Sequence, residues 1–402
     1  MTPDDARRYL ALAAHVLTPH RLTSHPRLAT LAARSHAGDR KITRRINIDF
    51  YLLLLLLFLC AFGLLVLYSA GGQDFFYVKR QLVFMAIGIT IMLVIAQFPV
   101  RFWERWAFIF YGLGLLLLLS VLLFGVGAKG AQRWLDIGFT RLQPAEFMKI
   151  CVPLMISAYL GKRFSPPIPK HVFWSAVMIL LPTLLIVRQP DLGTSILVFT
   201  SGFLALFLAG LRKRYLISSV FLALASMPIL WLFVLREYQK QRILTLLSPE
   251  ADRLGAGWNI VQSKTAIGSG GLNGKGWTEG TQSQLNFLPE SHTDFIIAVL
   301  AEEFGLLGVI LLCITYLLII GRCAFISINA QTQFGRILSG SLGLTFFVYI
   351  FVNMGMVSGI LPVVGAPLPI ISYGGTALLT LFIGFGLLMS ISSEPRQIRT
   401  QL

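Results

Sequence analysis

The sequence predicts an all-α polytopic membrane protein. Hydrophobic residues make up 55% of its 402 positions, charged residues only 13%, and the mean hydropathy is +0.74, which does not suit a water-soluble domain of this length. Several apolar runs reach the roughly 20 residues that a helix needs to cross a bilayer core. Alternation with a period of two is absent, so helices are predicted as the spans and not barrel strands.

We predict ten membrane-spanning helices from these apolar runs. The run at 145–160 is the weakest because it is short and contains Lys149 and Pro153, although membrane helices tolerate proline where neighbouring groups satisfy the freed carbonyl. The ten runs lie at 48–70, 81–98, 106–126, 145–160, 172–187, 193–210, 215–235, 295–320, 336–358 and 371–392.

The distribution of lysine and arginine predicts the orientation, because these residues stay on the cytoplasmic side of a membrane. With the N-terminus inside, the short inward segments hold most of them, and the outward turn 359–370 holds none. Both termini are therefore predicted to be cytoplasmic, with a large extracytoplasmic loop, 236–294, between the seventh and eighth helices. That loop and the outward loop 127–144 mix basic and acidic residues, which indicates a functional role.

Three regions follow from this reading: a basic cytoplasmic N-terminal tail, 1–47, a ten-helix membrane domain, 48–392, and a short cytoplasmic C-terminal tail, 393–402. The net charge of +16 is attributed mainly to membrane topology. A basic tail beside anionic lipid is favoured over a mitochondrial transit peptide, and nucleic acid is not expected as a partner.

An acidic residue stands at the threshold of the eighth predicted helix, in the stretch FLPESHTDF that ends at Phe295. Helix capping by Thr293 or Asp294 is one interpretation, since both residue types cap helices often. The polar neighbours His292, Gln282 and Ser283 form a denser cluster than one cap requires. A catalytic role for Asp294 is the alternative.

Two further carboxylates, Glu302 and Glu303, follow about 12 Å deeper along the same helix. Carboxylates at that depth are costly, so at least one should face the bundle interior, paired or protonated. A buried polar contact that fixes packing is favoured over a proton or ion path.

The loop AQRWLDIGFTRLQPAEFMK, 131–149, carries a second polar constellation. Glu146 and Lys149 are three residues apart and are predicted to pair on one helix face, beside Arg133 and Gln143. In the stretch RQPDLGTS, which begins at Arg188, Pro190 and Asp191 are predicted to cap the sixth helix.

The stretch GSGGLNGKGW, 268–277, does not match a nucleotide P-loop, because Ser269 stands five positions before Gly274, where the first glycine is needed, and Gly276 instead of Ser or Thr follows Lys275. Two interpretations stay open. The glycines could let backbone N–H groups approach an anion beside Lys275, or the segment could be a flexible loop.

The chain resembles the SEDS family of bacterial shape, elongation, division and sporulation proteins. The blocks GAQRWLDIG, QPAEFMK, RQPDLGTS, GSGGLNGKG, FLPESHTDFI, AEEFGLLG and LPVVGAPLPIISYGG occur in the family's order over about 48–392. The stretches GWNIVQSKTAIGSGGLNGKGW and GTQSQLNFLPE resemble the RodA branch, which elongates the cell wall. Ala377 replaces a serine that is common in the family.

The resemblance implies a peptidoglycan glycosyltransferase that acts on lipid II at the outer face of the bacterial inner membrane during elongation. Asp294 is the expected general base, because a pyrophosphate leaving group needs little protonation and one base is enough. The departing pyrophosphate needs positive charge. The expected substrate-binding residues are Arg133, Gln143, Glu146, Lys149, Arg188, Lys275, Gln282, Ser283, His292 and Thr293.

The resemblance allows for a divalent cation, Mg²⁺ or Mn²⁺, but the sequence shows no recognisable set of metal ligands. It also implies a class B penicillin-binding protein as the activating transpeptidase, together with other elongation-complex proteins. Three rival functions stay open: a lipid II flippase, suggested by Glu302 and Glu303, a non-catalytic scaffold, and the division or sporulation paralogue of the same polymerase.

Overall fold

A computed structural model describes residues 47–128, 131–136, 141–248, 255–284 and 290–395. The predicted tails therefore lie almost wholly outside the described residues, apart from Asn47 and 393–395. The described chain is helical except for one small sheet. The helices are α1 Phe50–Ala70, α2 Phe75–Ala96, α3 Val100–Phe124, α4 Pro144–Gly161, α5 Pro169–Arg188, α6 Leu192–Leu208, α7 Lys213–Ile229, α8 Glu237–Leu247, α9 Ala256–Gly270, α10 Thr281–Gln284, α11 Ile296–Asn329, α12 Gln333–Val357 and α13 Gly375–Ser392.

Eight helices of the described chain are long and apolar enough to cross a membrane: α1, α2, α3, α5, α7 with its π-helical continuation Leu230–Val234, α11, α12 and α13. The apolar helix α6 is shorter, and α4 carries both Glu146 and Lys149. The predicted all-α membrane class is confirmed at this level. The count of ten spans stays a prediction.

Several helices extend beyond their predicted ends. Helix α2 begins at Phe75, before Lys79 and Arg80, because the Asp74 side chain accepts a hydrogen bond from Phe76 N and caps it. Helix α3 follows Pro99 directly. Hydropathy marks only the apolar part of a helix, whereas charged turns at either end continue the same backbone hydrogen bonding.

The two anomalous outer loops contain regular structure that the sequence reading did not predict. The loop 127–144 forms an antiparallel sheet in the order β1-β2-β3, from β1 Val126–Ala128, β2 Ala131–Asp136 and β3 Arg141–Leu142. The loop 236–294 contains α8, α9 and α10. These strands and helices are short, so their periodic signals are weak.

The described ends of the chain lie together at one end of the bundle. Asp49, the N-cap of α1, accepts hydrogen bonds from Arg322 Nη2 at 2.8 Å and from Ser392 Oγ at 2.7 Å, which joins α1, α11 and α13. At the opposite end of α1, Ser291 Oγ donates to Ala70 O at 2.9 Å. Asp294 therefore lies across the bundle from Asp49.

Small residues allow the helices of the core to approach closely. A Cβ atom at Gly88 of α2 would lie 2.3 Å from Phe382 of α13, and one at Gly114 of α3 would lie 2.3 Å from Met148 Sδ of α4. Helix association in lipid depends on such packing, because hydrophobic transfer from water contributes little there.

Helix α11 breaks near its start. Gly305 has φ 63° and ψ −162°, and the glycine-rich segment 271–276 packs into the break. Leu306 N and Leu307 N donate to Gly271 O and Leu272 O, at 3.0 and 3.2 Å. The break separates a short initial segment, 296–304, from the long remainder of the helix.

Candidate active site

A polar cavity of about 980 Å³ opens at the end of the bundle where α2, α4, α6, α11 and α13 begin. Its wall includes six residues expected from the sequence to form the site: Arg133, Gln143, Glu146, Lys149, Thr293 and Asp294. The sequence places them far apart, and the alternation of helix direction brings them together.

Asp294 lies immediately before α11, whose N-cap residue is Phe295. The assigned cap position is therefore one residue beyond Asp294, and the capping interpretation of Thr293 or Asp294 stays a prediction. The buried Asn353 of α12 holds the backbone here. Its Nδ2 donates to Asp294 O at 2.9 Å and to Ala366 O at 2.7 Å.

Opposite Asp294 stands the loop that precedes α13. A Cβ atom at Gly365 would lie 3.5 Å from Asp294 Oδ2, so the glycine leaves room beside the carboxylate. The loop is tied to the segment of Asp294 by Ser372 Oγ, which donates to Thr293 O at 2.6 Å, and by Tyr373 N, which donates to His292 O at 3.0 Å.

A second helix braces this loop. The buried Gln81 of α2 donates from Nε2 to Ser372 O at 3.1 Å. The β-branched Ile370 has φ 69°, a conformation that costs free energy and persists where the surroundings over-determine it. The loop is thus held from α2, α11 and α12 at once, which keeps the wall of the cavity around Asp294 in one shape.

The predicted Glu146–Lys149 pair is present. Lys149 Nζ lies 2.6 Å from Glu146 Oε1, and the two side chains are 4% and 7% exposed. Lys149 Nζ also lies 4.6 Å from the centroid of the Tyr349 ring on α12, a cation–π contact that is favourable in a desolvated site. A positive charge is thereby fixed in the cavity wall.

Arg133 and Gln143 meet at the N-terminus of α6. Arg133 Nη2 donates to Pro190 O at 2.8 Å, and Gln143 Nε2 donates to Asp191 Oδ2 at 3.0 Å. Asp191 is the N-cap of α6 and accepts from Thr194 N at 3.3 Å. The capping prediction for Asp191 is confirmed, and the cap also orients two cavity residues.

Other predicted site residues lie outside the lining of this cavity. Arg188 is exposed at the end of α5. Lys275 Nζ lies 2.7 Å from Glu302 Oε1, and Gln282 N donates to the same oxygen at 3.0 Å. Ser283 belongs to α10, but its side chain lies outside the described residues.

His292 packs beside the cavity and does not line it. Its ring lies 4.7 Å from the Tyr77 ring and 6.1 Å from the Tyr373 ring, centroid to centroid. Partial burial lowers the pKa of His292 below its ordinary value, and the nearby Glu290 carboxylate acts in the opposite direction. The ring is therefore favoured in its neutral form.

Sequence reasoning missed three residues of the site. Arg80 and Arg242 line the cavity, and Asn353 orients its backbone. Arg80 lies in the first turns of α2, at the same end of the bundle as Asp294. A comparison of the charged residues near the starts of the predicted helices could have identified Arg80. Arg242 lies on α8, a helix that the sequence did not predict.

In the described ranges, no group of three or more His, Cys, Asp and Glu residues could hold a metal ion. The divalent cation stays a prediction.

The bundle of apolar helices, with its polar cavity at one end, defines an integral membrane protein, and the chain belongs to the FtsW/RodA/SpoVE family. The model of that family, described as cell cycle protein, matches residues 50–397.

Within the family, the chain is similar to the RodA branch. It is 52% identical over 354 residues to the peptidoglycan glycosyltransferase MrdB of Escherichia coli K12, with 88% of this chain and 96% of MrdB covered. Identity to the probable peptidoglycan glycosyltransferase FtsW of Trichlorobacter lovleyi is 36%, with 88% and 95% covered. The predicted RodA-branch resemblance is confirmed.

Solved structures share the fold. One chain of a peptidoglycan synthase complex that coordinates polymerization and crosslinking is 29% identical, with a TM-score of 0.75, 86% of this chain and 97% of that chain covered. The rod shape determining protein RodA of Thermus thermophilus is 28% identical, with a TM-score of 0.64 and coverages of 87% and 98%.

Proposed function

We propose that this chain is a peptidoglycan glycosyltransferase that joins lipid II units into glycan strands during cell elongation, with Asp294 as general base. The observation that carries the proposal is the position of Asp294 in the wall of the 980 Å³ cavity, which basic side chains also line. The cavity is at the upper end of the size range of small-molecule sites, which suits two disaccharide head groups better than one small substrate.

The reaction needs one base. The 4-hydroxyl of the acceptor N-acetylglucosamine attacks the anomeric carbon of the donor N-acetylmuramic acid, and its proton passes to the Asp294 carboxylate. A glycosidic bond forms while the bond from the anomeric carbon to the pyrophosphate oxygen breaks, and undecaprenyl pyrophosphate departs with the electron pair. The configuration at that carbon inverts. The leaving group is already a weak base, so a second carboxylic acid is not required.

The positive charge needed by the departing pyrophosphate comes from Arg80, Arg133 and Arg242 in the same wall. Preorganised cations of this kind stabilise charge as it develops. Lys149 adds a fixed charge, held by Glu146 at 2.6 Å. Arg188 and Lys275, which the sequence also suggested, lie away from this wall, so they are weaker candidates for this role.

The two ends of the bundle support the proposed membrane placement. Arg322 and the described ends of the chain share the end opposite Asp294, and the basic loops predicted to be cytoplasmic belong to that end. On this basis Asp294 faces the outside of the bacterial inner membrane, where lipid II is polymerised. An apolar cleft between α4, α12 and α13 shares Glu146 and Lys149 with the polar cavity, which offers the lipid chain an adjacent apolar surface.

The partner that this function implies is a class B penicillin-binding protein. A structural neighbour of this chain comes from a complex that coordinates polymerization with crosslinking, and a glycan polymer becomes a wall only when its peptides are joined. We expect the transpeptidase to raise the rate of polymerisation by this chain.

The test is polymerisation of labelled lipid II by the purified chain with its transpeptidase partner. Asp294→Asn should reduce the rate by at least about 10²-fold, the low end for removal of a general base, while folding and complex formation persist. Asp74→Asn is the matched control. It makes the same charge change at the same end of the bundle, outside the cavity, and asparagine caps α2 as well as aspartate does.

Two outcomes would overturn the proposal. Strands made at the wild-type rate by Asp294→Asn would remove this carboxylate from the reaction. Movement of lipid II across vesicles by the wild-type chain, with no polymer formed, would assign the cavity to the rival flippase.

A further inference from the structure

The short segment 296–304 at the start of α11 connects Asp294 to the break at Gly305. A helical segment is stiff, and Glu302 lies eight residues beyond Asp294, about 12 Å along the axis. A contact that fixes the Gly305 end of this segment therefore helps to fix the position of the Asp294 carboxylate at the other end.

Glu302 is held by several hydrogen-bond donors at the Gly305 end of the segment. Its carboxylate is 0% exposed and accepts hydrogen bonds from Lys275 Nζ at 2.7 Å, Thr281 Oγ1 at 3.0 Å and Gln282 N at 3.0 Å. Lys275 belongs to the connection between α9 and α10, and Thr281 and Gln282 belong to the first turn of α10. A buried carboxylate is costly without such partners, so the contacts tie this connection and α10 to α11.

Backbone contacts reinforce the same junction. Lys275 N donates to Glu302 O at 3.0 Å, and Gly276 N donates to Glu303 O at 3.1 Å. A Cβ atom at Gly274 would lie 2.1 Å from Glu303 O, and one at Gly305 would lie 2.3 Å from Gly274 N. The glycines are thus explained by close approach of two backbones, and Lys275 is oriented toward Glu302.

On the other side of the segment, Ser69 of α1 donates from Oγ to Glu303 Oε1. The two consecutive carboxylates, about 100° apart around the helix axis, therefore hold the segment in two directions, Glu303 against α1 and Glu302 against the extracytoplasmic chain. The segment is clamped rather than free to slide.

We propose that Glu302, through its ion pair with Lys275, is a positioning residue for Asp294. It fixes the position of the segment along its helix axis, and its rotation about that axis, and this segment carries the base. The proposal rests on the proposed function, in which Asp294 is the base. Glu302 does not line the cavity, so its loss alters the alignment of the base and leaves the substrate contacts in place.

The experiment separates turnover from binding. Lipid II polymerisation is measured for the wild-type chain, Glu302→Gln, Lys275→Met and the double variant, each with the transpeptidase partner and each normalised to folded protein. We expect kcat to fall about 10- to 100-fold in each single variant, since a misplacement near 1 Å can cost about 10²-fold, while KM stays within twofold. The double variant should be no slower than the slower single variant.

Three further variants act as controls. Glu279→Gln removes an exposed carboxylate from the same connection and should leave kcat unchanged. Lys275→Arg keeps the charge and should retain most of the wild-type kcat. Asp294→Asn should lose turnover without loosening the junction, measured as amide hydrogen exchange of 271–282. If Glu302→Gln fails to fold, Lys275→Met carries the test, because the Lys275 side chain is 27% exposed.

The proposal is overturned if folded Lys275→Met keeps the wild-type kcat, if only KM changes, or if the losses of the two single variants multiply in the double variant. Failure of the proposed function is recognised separately, since then either the wild-type chain makes no polymer or Asp294→Asn polymerises at the wild-type rate.

Discussion

The Glu146–Lys149 pair gives the sharpest stability prediction. Both side chains are almost fully buried and their charged atoms lie 2.6 Å apart. Glu146→Gln leaves the Lys149 ammonium without its carboxylate, and removal of one partner of a buried pair costs about 3–5 kcal/mol. At about 2 °C per kcal/mol, the lower value for large domains, a loss of 3 kcal/mol lowers Tm by roughly 6 °C.

The companion variant Lys149→Met should cost a similar amount. The double variant removes both charges, so no unpaired ion is left in the wall, and its stability should lie within about 1 kcal/mol of wild type. Thermal denaturation of the detergent-solubilised protein, followed by circular dichroism, measures all three. The double variant should fold and yet polymerise poorly, because the fixed positive charge is gone.

An exposed pair with the same spacing provides the control. Lys240 and Glu237 are also three residues apart, with their charged atoms 2.9 Å apart, but the Glu237 side chain is 90% exposed. Glu237→Gln should change stability by less than about 1 kcal/mol. If Glu146→Gln behaves like this control, or if the two single losses simply add in the double variant, the reasoning about burial is refuted.

Three other perturbations test the site and its supports. Asn353→Leu removes the hydrogen bonds to Asp294 O and Ala366 O, at about 0.5–1.5 kcal/mol each, and should lower Tm and the polymerisation rate. Gly305→Ala should prevent stable folding, because its methyl group would lie 2.3 Å from Gly274 N; expression and Tm measure this. Acidification from pH 7 to pH 5 should destabilise the protein partly through His292, whose folded pKa lies below its ordinary value of 6.5, so the fold disfavours the charged ring and stability is lost as pH falls through that range.

Each of these outcomes has a counterpart that would contradict it. Gly72→Ala is the control for Gly305→Ala, since Gly72 has φ 69° but nothing within 4 Å of an added Cβ; it should cost only about 1–2 kcal/mol. Equal losses in the two glycine variants would refute the close-approach argument. A pH dependence that is identical in His292→Gln would exclude this ring. An Asn353→Leu protein with full turnover would show that the Asp294 backbone needs no support from α12.

Local chemistry made part of the site predictable from the sequence. The spacing of Glu146 and Lys149 predicts their pair, and the position of Asp191 before an apolar run predicts its cap, because both depend on neighbours within one helical turn. The burial of Glu302 and Glu303 follows from the cost of charge in lipid. Each of the ten apolar runs contains a helix. A bilayer leaves the backbone few other ways to satisfy its hydrogen bonds.

Contacts over long sequence separations could not be read in the same way. Lys275 was expected to bind substrate because a lysine among glycines suits an anion, but the anion that it contacts is Glu302, 27 residues further along the chain. Arg80 stands 214 residues before Asp294 and joins it in one cavity only because α2 and α11 begin at the same end of the bundle. The three strands of the outer loop were not predicted because they are only three, six and two residues long. Strands this short carry little periodic signal.

The break in α11 limits how the sequence of this region can change in evolution. Residues 296–304 act as a spacer between two fixed points, Asp294 and the break at Gly305. Side chains along this spacer can be substituted, but the length of the spacer cannot change. Insertion of one residue would turn the Asp294 carboxylate by about 100° and raise it by about 1.5 Å relative to Gly305, which would point it away from the sugar hydroxyl. Related polymerases should therefore show substitutions in this spacer but no insertions or deletions.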